Sequence, residues 1–72
     1  MITRRYYMEY VQSTPLATWV VKHNFGRLPA VDVYMEIDGV QAKVIPSEVK
    51  RVDDNTVSIE FGEPVVGTAV LV

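Results

Sequence analysis

The stretch over residues 30–45 leaves the chain little choice of local structure. Val31, Val33, Met35 and Ile37 recur at every second position, with Asp32, Tyr34 and Glu36 between them. A period of two puts the first set on one face of a strand and the second set on the other. Asp38-Gly39 follows, and an Asp-Gly pair supplies the two positive φ values of a two-residue type I′ turn. That turn sets the return register. Ile37 falls opposite Val40, Met35 opposite Ala42 and Val33 opposite Val44, all apolar, so the inner face continues across the turn. On the outer face Tyr34 meets Lys43 and Glu36 meets Gln41.

The remainder carries the same signature. Valine occurs 14 times, isoleucine four and threonine five, against three leucines and four alanines. β-branched side chains are stiff at χ1 and fit a pleated surface, and the helix formers that compete with them are scarce here. Turn residues recur at short intervals: Ser13-Thr14-Pro15, residues 24–29, Asp38-Gly39, Pro46-Ser47, Asp53-Asp54-Asn55 and residues 62–67. This spacing predicts an all-β domain, a small antiparallel β-sandwich or partly open barrel of about six to seven short strands. The strands fall at residues 4–11, 17–23, the two arms of 30–45, a second hairpin over 49–61 and a closing strand over 68–72. In the second hairpin Asp53-Asp54-Asn55 turns the chain, with Asn55 expected to accept a left-handed conformation. A two-residue turn there sets Val52 opposite Val57, and a three-residue loop shifts the pairing by one. Gly67 is expected to admit another backbone close by. Trp19, Val21 and His23 share a face of their strand. In the first strand Tyr6, Met8 and Tyr10 share one face and Arg5, Tyr7, Glu9 and Val11 the other, so neither face is cleanly exposed. Pro15 separates that strand from the rest.

Size and charge exclude several functions. The 72 residues make one domain, read as an N-terminal strand or docking arm over residues 1–11 and a β module over residues 12–72. A net charge of −2 gives no field for gathering nucleic acid or anionic lipid. No apolar run approaches the ~18–20 residues of a membrane span, and the N-terminal residues lack the apolar stretch of a signal peptide. Cysteine is absent and His23 is the only histidine, which removes disulfides, thiolate metal sites and multi-His metal sites. Nucleic acid, membrane, metal and cofactor are therefore not expected as partners. Burial in so small a domain barely offsets the cost of ordering it. Association with copies of itself or with a scaffold is the remaining means of stabilisation, so a homo-oligomer is expected.

Few residues invite a chemical reading. A catalytic His23 needs a nucleophile or acid within reach; Ser13, Ser47, Ser58 and Asp32 exist, but none sits in a nucleophile elbow or similar motif. The simpler reading is that His23 ends a strand and hydrogen-bonds the turn that follows. In that turn Gly26 offers positive φ, Leu28 is held extended by the proline after it, and Pro29 fixes entry to the next strand. Phe25 is expected to tuck inward and Arg27 to act locally. Arg4-Arg5-Tyr6-Tyr7 combines the residue types that stack on bases and bind phosphate, but Glu9 follows and no other basic cluster supports it. Residues 1–11 read instead as an arm covered by a neighbouring subunit, through Tyr6, Tyr7, Met8 and Tyr10, or as an ordinary strand of the same domain. Asp53-Asp54-Asn55 offers too few oxygens, at the wrong spacing, for calcium.

Taken in order, these segments resemble the small β-modules of tailed-bacteriophage virion proteins. The resemblance is carried by Thr18-Trp19-Val20-Val21, by His23-Asn24-Phe25-Gly26-Arg27 with Pro29, and by Val31-Asp32-Val33. It continues through the Asp-Gly turn and residues 52–61 to Gly67-Thr68-Ala69 and a short apolar strand. It covers residues 12–72, and its most specific part is the His-Asn-aromatic-Gly-basic run followed by proline. Such modules occur in tail fibres, baseplate parts, collars and head decorations. The resemblance implies a structural or attachment role in a symmetric oligomer, without catalytic residues, and Trp19, His23, Asn24, Phe25, Gly26, Arg27 and Pro29 as its structural motif. No long shaft-forming segment precedes the module, which favours a decoration, collar or tail-associated adaptor. The expectation is a non-enzymatic structural protein located in the virion, joined to copies of itself and to other virion proteins through β-edges and the apolar arm. Two further readings stand beside it. One is a receptor- or glycan-binding module at a fibre tip, which exposed Trp19 or clustered tyrosines would favour, with a host receptor or glycan as partner. The other is a phage-encoded regulator that binds a host protein.

Overall fold

The computed structural model describes residues 6–72. Arg4 and Arg5 lie outside the described residues. The fold is all-β: β1 (Met8–Lys22), β2 (Val31–Ile37), β3 (Val40–Val44), β4 (Glu48–Asp53) and β5 (Thr56–Leu71). All pairings are antiparallel and join the five strands in one sheet. The order is β1-β5-β2-β3, with β4 also on β5. β5 is the hub. Its first half lies between β1 and β4, and its second half between β1 and β2.

The β2–β3 hairpin has the expected register, with Ile37 opposite Val40, Met35 opposite Ala42 and Val33 opposite Val44. Asp38 (φ 52°) and Gly39 (φ 79°) both take positive φ, as a type I′ turn requires. On the outer face Lys43 pairs with Asp32 at 3.0 Å.

Among the described residues the strand count is five, where about six to seven short strands were expected. The first two expected strands are one 15-residue strand, and the 56–61 and 68–72 segments are one 16-residue strand. Pro15 does not end β1, because no β5 partner faces it: the ladder is irregular between Gln12 and Leu16. A proline lacking N–H is tolerated at such a place on an edge strand. Gly62, Glu63 and Pro64 lie in the matching gap of β5, between Glu60 and Val65.

That gap reorganises the faces. Between the pairs Gln12–Gly67 and Thr18–Glu60, β5 uses one residue more than β1, and a one-residue slip exchanges the faces of a strand. In β1 the inward set therefore changes from Met8, Tyr10 and Gln12 to Trp19 and Val21, continuing into His23. β5 keeps Val57, Ile59, Ala69 and Leu71 inward throughout. β1 also bends: the Tyr10 and Trp19 rings are 6.3 Å apart, whereas nine residues of straight strand would separate them by about 30 Å. The buried side chains of both halves form one core of Trp19, Val21, Phe25, Val33, Val57, Ile59, Ala69 and Leu71. Within this chain, the expectation that neither face of the first strand is cleanly exposed is not met. Tyr7 and Val11 are 63% and 67% exposed, because only the inward face meets the core.

The β4–β5 hairpin turns on Asp54-Asn55, with Asp53 opposite Thr56. Arg51, rather than Val52, lies opposite Val57, so the two-residue turn comes with a bulge that takes up Val52. Asn55 is not left-handed; among the non-glycine residues that role falls to Asn24 (φ 59°) and Asp38. The turn is held instead by the Asp53 carboxylate, which accepts the Asn55 N–H at 2.8 Å.

Candidate functional site

Residues 23–29 form a corner at the end of β1. The backbone N–H groups of His23 and Asn24 donate to the Asn55 carbonyl at 2.8 and 3.2 Å. The Gly26 N–H donates to the Asn55 side-chain oxygen at 3.0 Å. Asn55 thus ties the end of β1 to the β4–β5 turn. Asn24 and Gly26 (φ 70°) are both left-handed, and glycine adopts that conformation without Cβ strain. The Phe25 N–H donates to His23 Nδ1 at 3.0 Å. This local bond is the one expected of a strand-ending histidine.

The corner is aromatic inside and cationic at its rim. The Phe25 ring lies 4.9 Å from His23 and 5.0 Å from Tyr6. The Arg27 guanidinium sits over Tyr6 at 5.1 Å and over Phe25 at 5.6 Å, within cation–π range. It also donates to the Leu28 carbonyl at 3.3 Å and the Val72 carbonyl at 3.5 Å. Pro29 is buried, and after it Ala30 and Val72 exchange backbone bonds of 2.9 and 3.0 Å. His23 is 6% exposed. With Nδ1 accepting, the ring proton of the neutral form belongs on Nε2, which is buried and has no hydrogen-bond partner among the described residues. Burial holds the His23 pKa below its ordinary value; Asp53 opposes this and Arg27 adds to it. The corner brings His23, Asn24, Phe25, Gly26 and Arg27 together as a packing and capping unit.

Trp19 is fully buried. Its indole N–H reaches the carbonyls of Leu16 at 3.1 Å and Val65 at 3.3 Å, and so bridges β1 and β5 where their ladder is irregular. The arm residues divide. Tyr6, Met8 and Tyr10 are half-buried against the chain's own core, whereas Tyr7 is exposed. β1 runs through position 11 without a break. The Tyr10 hydroxyl donates to the Gln12 side chain, whose amide donates to the Thr14 carbonyl at 2.8 Å. By sequence Asn55 was read only as a turn residue, and Gln12 was not singled out. Asn55 bonds residues 29 and more positions away, and no local spacing announces such a contact.

Open surfaces among the described residues include the outer edge of β3, where Val40 is 66% exposed, and two others. One is a shallow hollow of about 300 Å³ on the outward face, lined among others by Val11, Gln12, Ser13, Tyr34, Glu36 and Gln41. The other is the outer edge of β1, a terminal strand of the sheet that pairs with β5 alone. Val11 and Val20 stand exposed on its outward face, at 67% and 62%. Among the described residues no three His, Asp or Glu side chains group as a metal site, and no helix is long and apolar enough to cross a membrane. Comparison of the chain with protein-family models, with curated proteins and with solved structures gives no match.

Proposed function

We propose that this chain is a non-enzymatic structural protein of a tailed-phage virion, a decoration, collar or tail-associated adaptor. Its location on a particle rests on the sequence resemblance. Its mode of action rests on one observation: a 15-residue strand whose outer edge is unpaired carries exposed valines. Free N–H and C=O groups along such an edge accept a further strand. In this reading the bent sheet is a sandwich-like block, rigid because Trp19 braces the bend of β1 and the residue 23–29 corner closes its C-terminal end, and the edge joins it to its neighbours. Mass spectrometry of purified particles tests the location. Stoichiometric presence supports the reading, and absence replaces it with the host-directed regulator.

The second reading, a receptor- or glycan-binding module, draws on the hollow beside Tyr34, where an aromatic ring stands among Gln12, Glu36 and Gln41. Burial of Trp19 removes the residue that would best have stacked on a sugar. A glycan array that reports binding by the full chain, lost in Tyr34→Ala, would favour this reading.

A further inference from the structure

Among the described residues β1 is unpaired on its outer side in both halves of the sheet. Which backbone groups face outward follows from His23. It is an inward residue, and its N–H points toward β5, to the Asn55 carbonyl. In an L-polypeptide strand, side-chain face and backbone hydrogen-bonding direction alternate together. Inward residues therefore bond β5, and outward Glu9, Val11, Val20 and Lys22 present N–H and C=O to the open edge. The face exchange at the bend is what makes the outward residues odd-numbered before it and even-numbered after it.

We infer that the outer edge of β1 pairs with the same edge of a second copy, antiparallel, about a two-fold axis between Pro15 and Leu16. This deepens the assembly reading above and rests on it. In that register Val11 lies opposite Val20 of the second copy, and Glu9 lies opposite Lys22 of the second copy, each pair occurring twice. Inward faces also match, with Tyr10 opposite Val21. The face exchange is required, since without it this axis would set outward residues against inward ones. Shifting the register by two residues puts Val11 opposite Thr18 or Lys22 and breaks the charge match. The occupant is a copy of this chain because the complementarity lies within β1 itself: an acid at one end, a base at the other, and no charge between them. The β4 edge is guarded, with Glu48, Lys50, Arg51 and Asp53 exposed along it, as edges that avoid association are. Of the residues that could blunt the β1 edge, Glu9 and Lys22 meet opposite charge in this register, and Pro15 sits at the axis, where the ladder is already interrupted.

The test is sedimentation equilibrium of the full chain with charge variants at exposed positions. The wild type is a dimer at micromolar concentration. Glu9→Lys and Lys22→Glu each weaken it about tenfold or more, since each replaces two attractive pairs by two repulsive ones. The double variant Glu9→Lys/Lys22→Glu restores it. Amide hydrogen exchange of the wild type gives the same answer without substitution: Val11 and Val20 N–H groups are protected at high concentration and lose protection on dilution. A monomer, a trimer, a dimer indifferent to the charge swap, or concentration-independent exchange at Val11 and Val20 overturns the inference. Absence from purified particles would end the virion reading and leave this pairing intact, so the two fail separately.

Discussion

Gly67 and Tyr34 approach so closely that a Cβ on Gly67 would stand 2.6 Å from the Tyr34 carbonyl oxygen, with Met35 Cγ and Trp19 Cη2 each at 3.2 Å. The nearest obstacle is backbone, which cannot swing aside as a side-chain tip can. Gly67→Ala is expected to lose about 1–3 kcal/mol of stability, as overpacked sites do. Gly62 is the control, because nothing lies within 4 Å of its Cβ position; Gly62→Ala should stay within about 0.5 kcal/mol. Urea unfolding of both variants checks the difference, and equal losses would contradict the close approach.

Trp19 has two roles in one side chain. It fills the core beside Phe61, ring to ring at 4.6 Å, and its N–H spans the ladder gap to Val65. Trp19→Ala should cost about 3–5 kcal/mol, enough to unfold a small domain of ordinary stability. Circular dichroism and a denaturant titration measure it. A folded variant with an unchanged midpoint would mean that the indole is dispensable to the core.

The register and turn of the β2–β3 hairpin were legible because both are local: Asp38-Gly39 and the alternation around it demand the same pairing; the exposure of Ile37 and Val40, assigned to the inner face, was not. The fused β1 and β5 were not. Pro15 and Gly62 to Pro64 have the composition of strand breakers, and only the paired gaps in the ladder explain why the strands pass through them. The exchange of faces between Gln12 and Trp19 was hidden for the same reason, since each half of β1 alternates correctly by itself. At the residue 23–29 corner, the positive φ of Gly26 and the inward Phe25 follow from local chemistry. The closing contact does not, because Asn55 is distant in sequence and reads as a simple turn residue.

Removing residues 1–11 tests whether the arm is separable. Residues 8–12 pair with residues 67–71 of β5, and Tyr6, Met8 and Tyr10 pack on the core. Their loss would strip one side of the C-terminal part of β5 and uncover Leu71. A separable docking arm would leave a folded core after this truncation; the pairing predicts a large loss of thermal stability instead. A truncated chain with the melting temperature of the full one would show that residues 1–11 form an independent arm after all.

His23 makes stability depend on pH in a definite direction. Burial lowers its pKa in the folded chain, while the unfolded chain titrates near 6.5. Between the lowered value and about 6.5 the unfolded state binds more protons than the folded one, so stability rises with pH across that window. The contribution of a neutral His23 is complete above about pH 6.5 and is lost as pH falls through the folded value. Protonation would also put charge on Nδ1, which now accepts the Phe25 N–H, and would set the imidazolium near Arg27. His23→Gln keeps an acceptor for that N–H and does not titrate. Urea unfolding at about pH 7.5 and about pH 5 should therefore show the wild type losing more stability than His23→Gln. Both proteins carry the same carboxylates, so acid effects of Asp53 and its neighbours largely cancel in the comparison. An equal loss in the two proteins would mean that His23 is accessible to protons in the folded state.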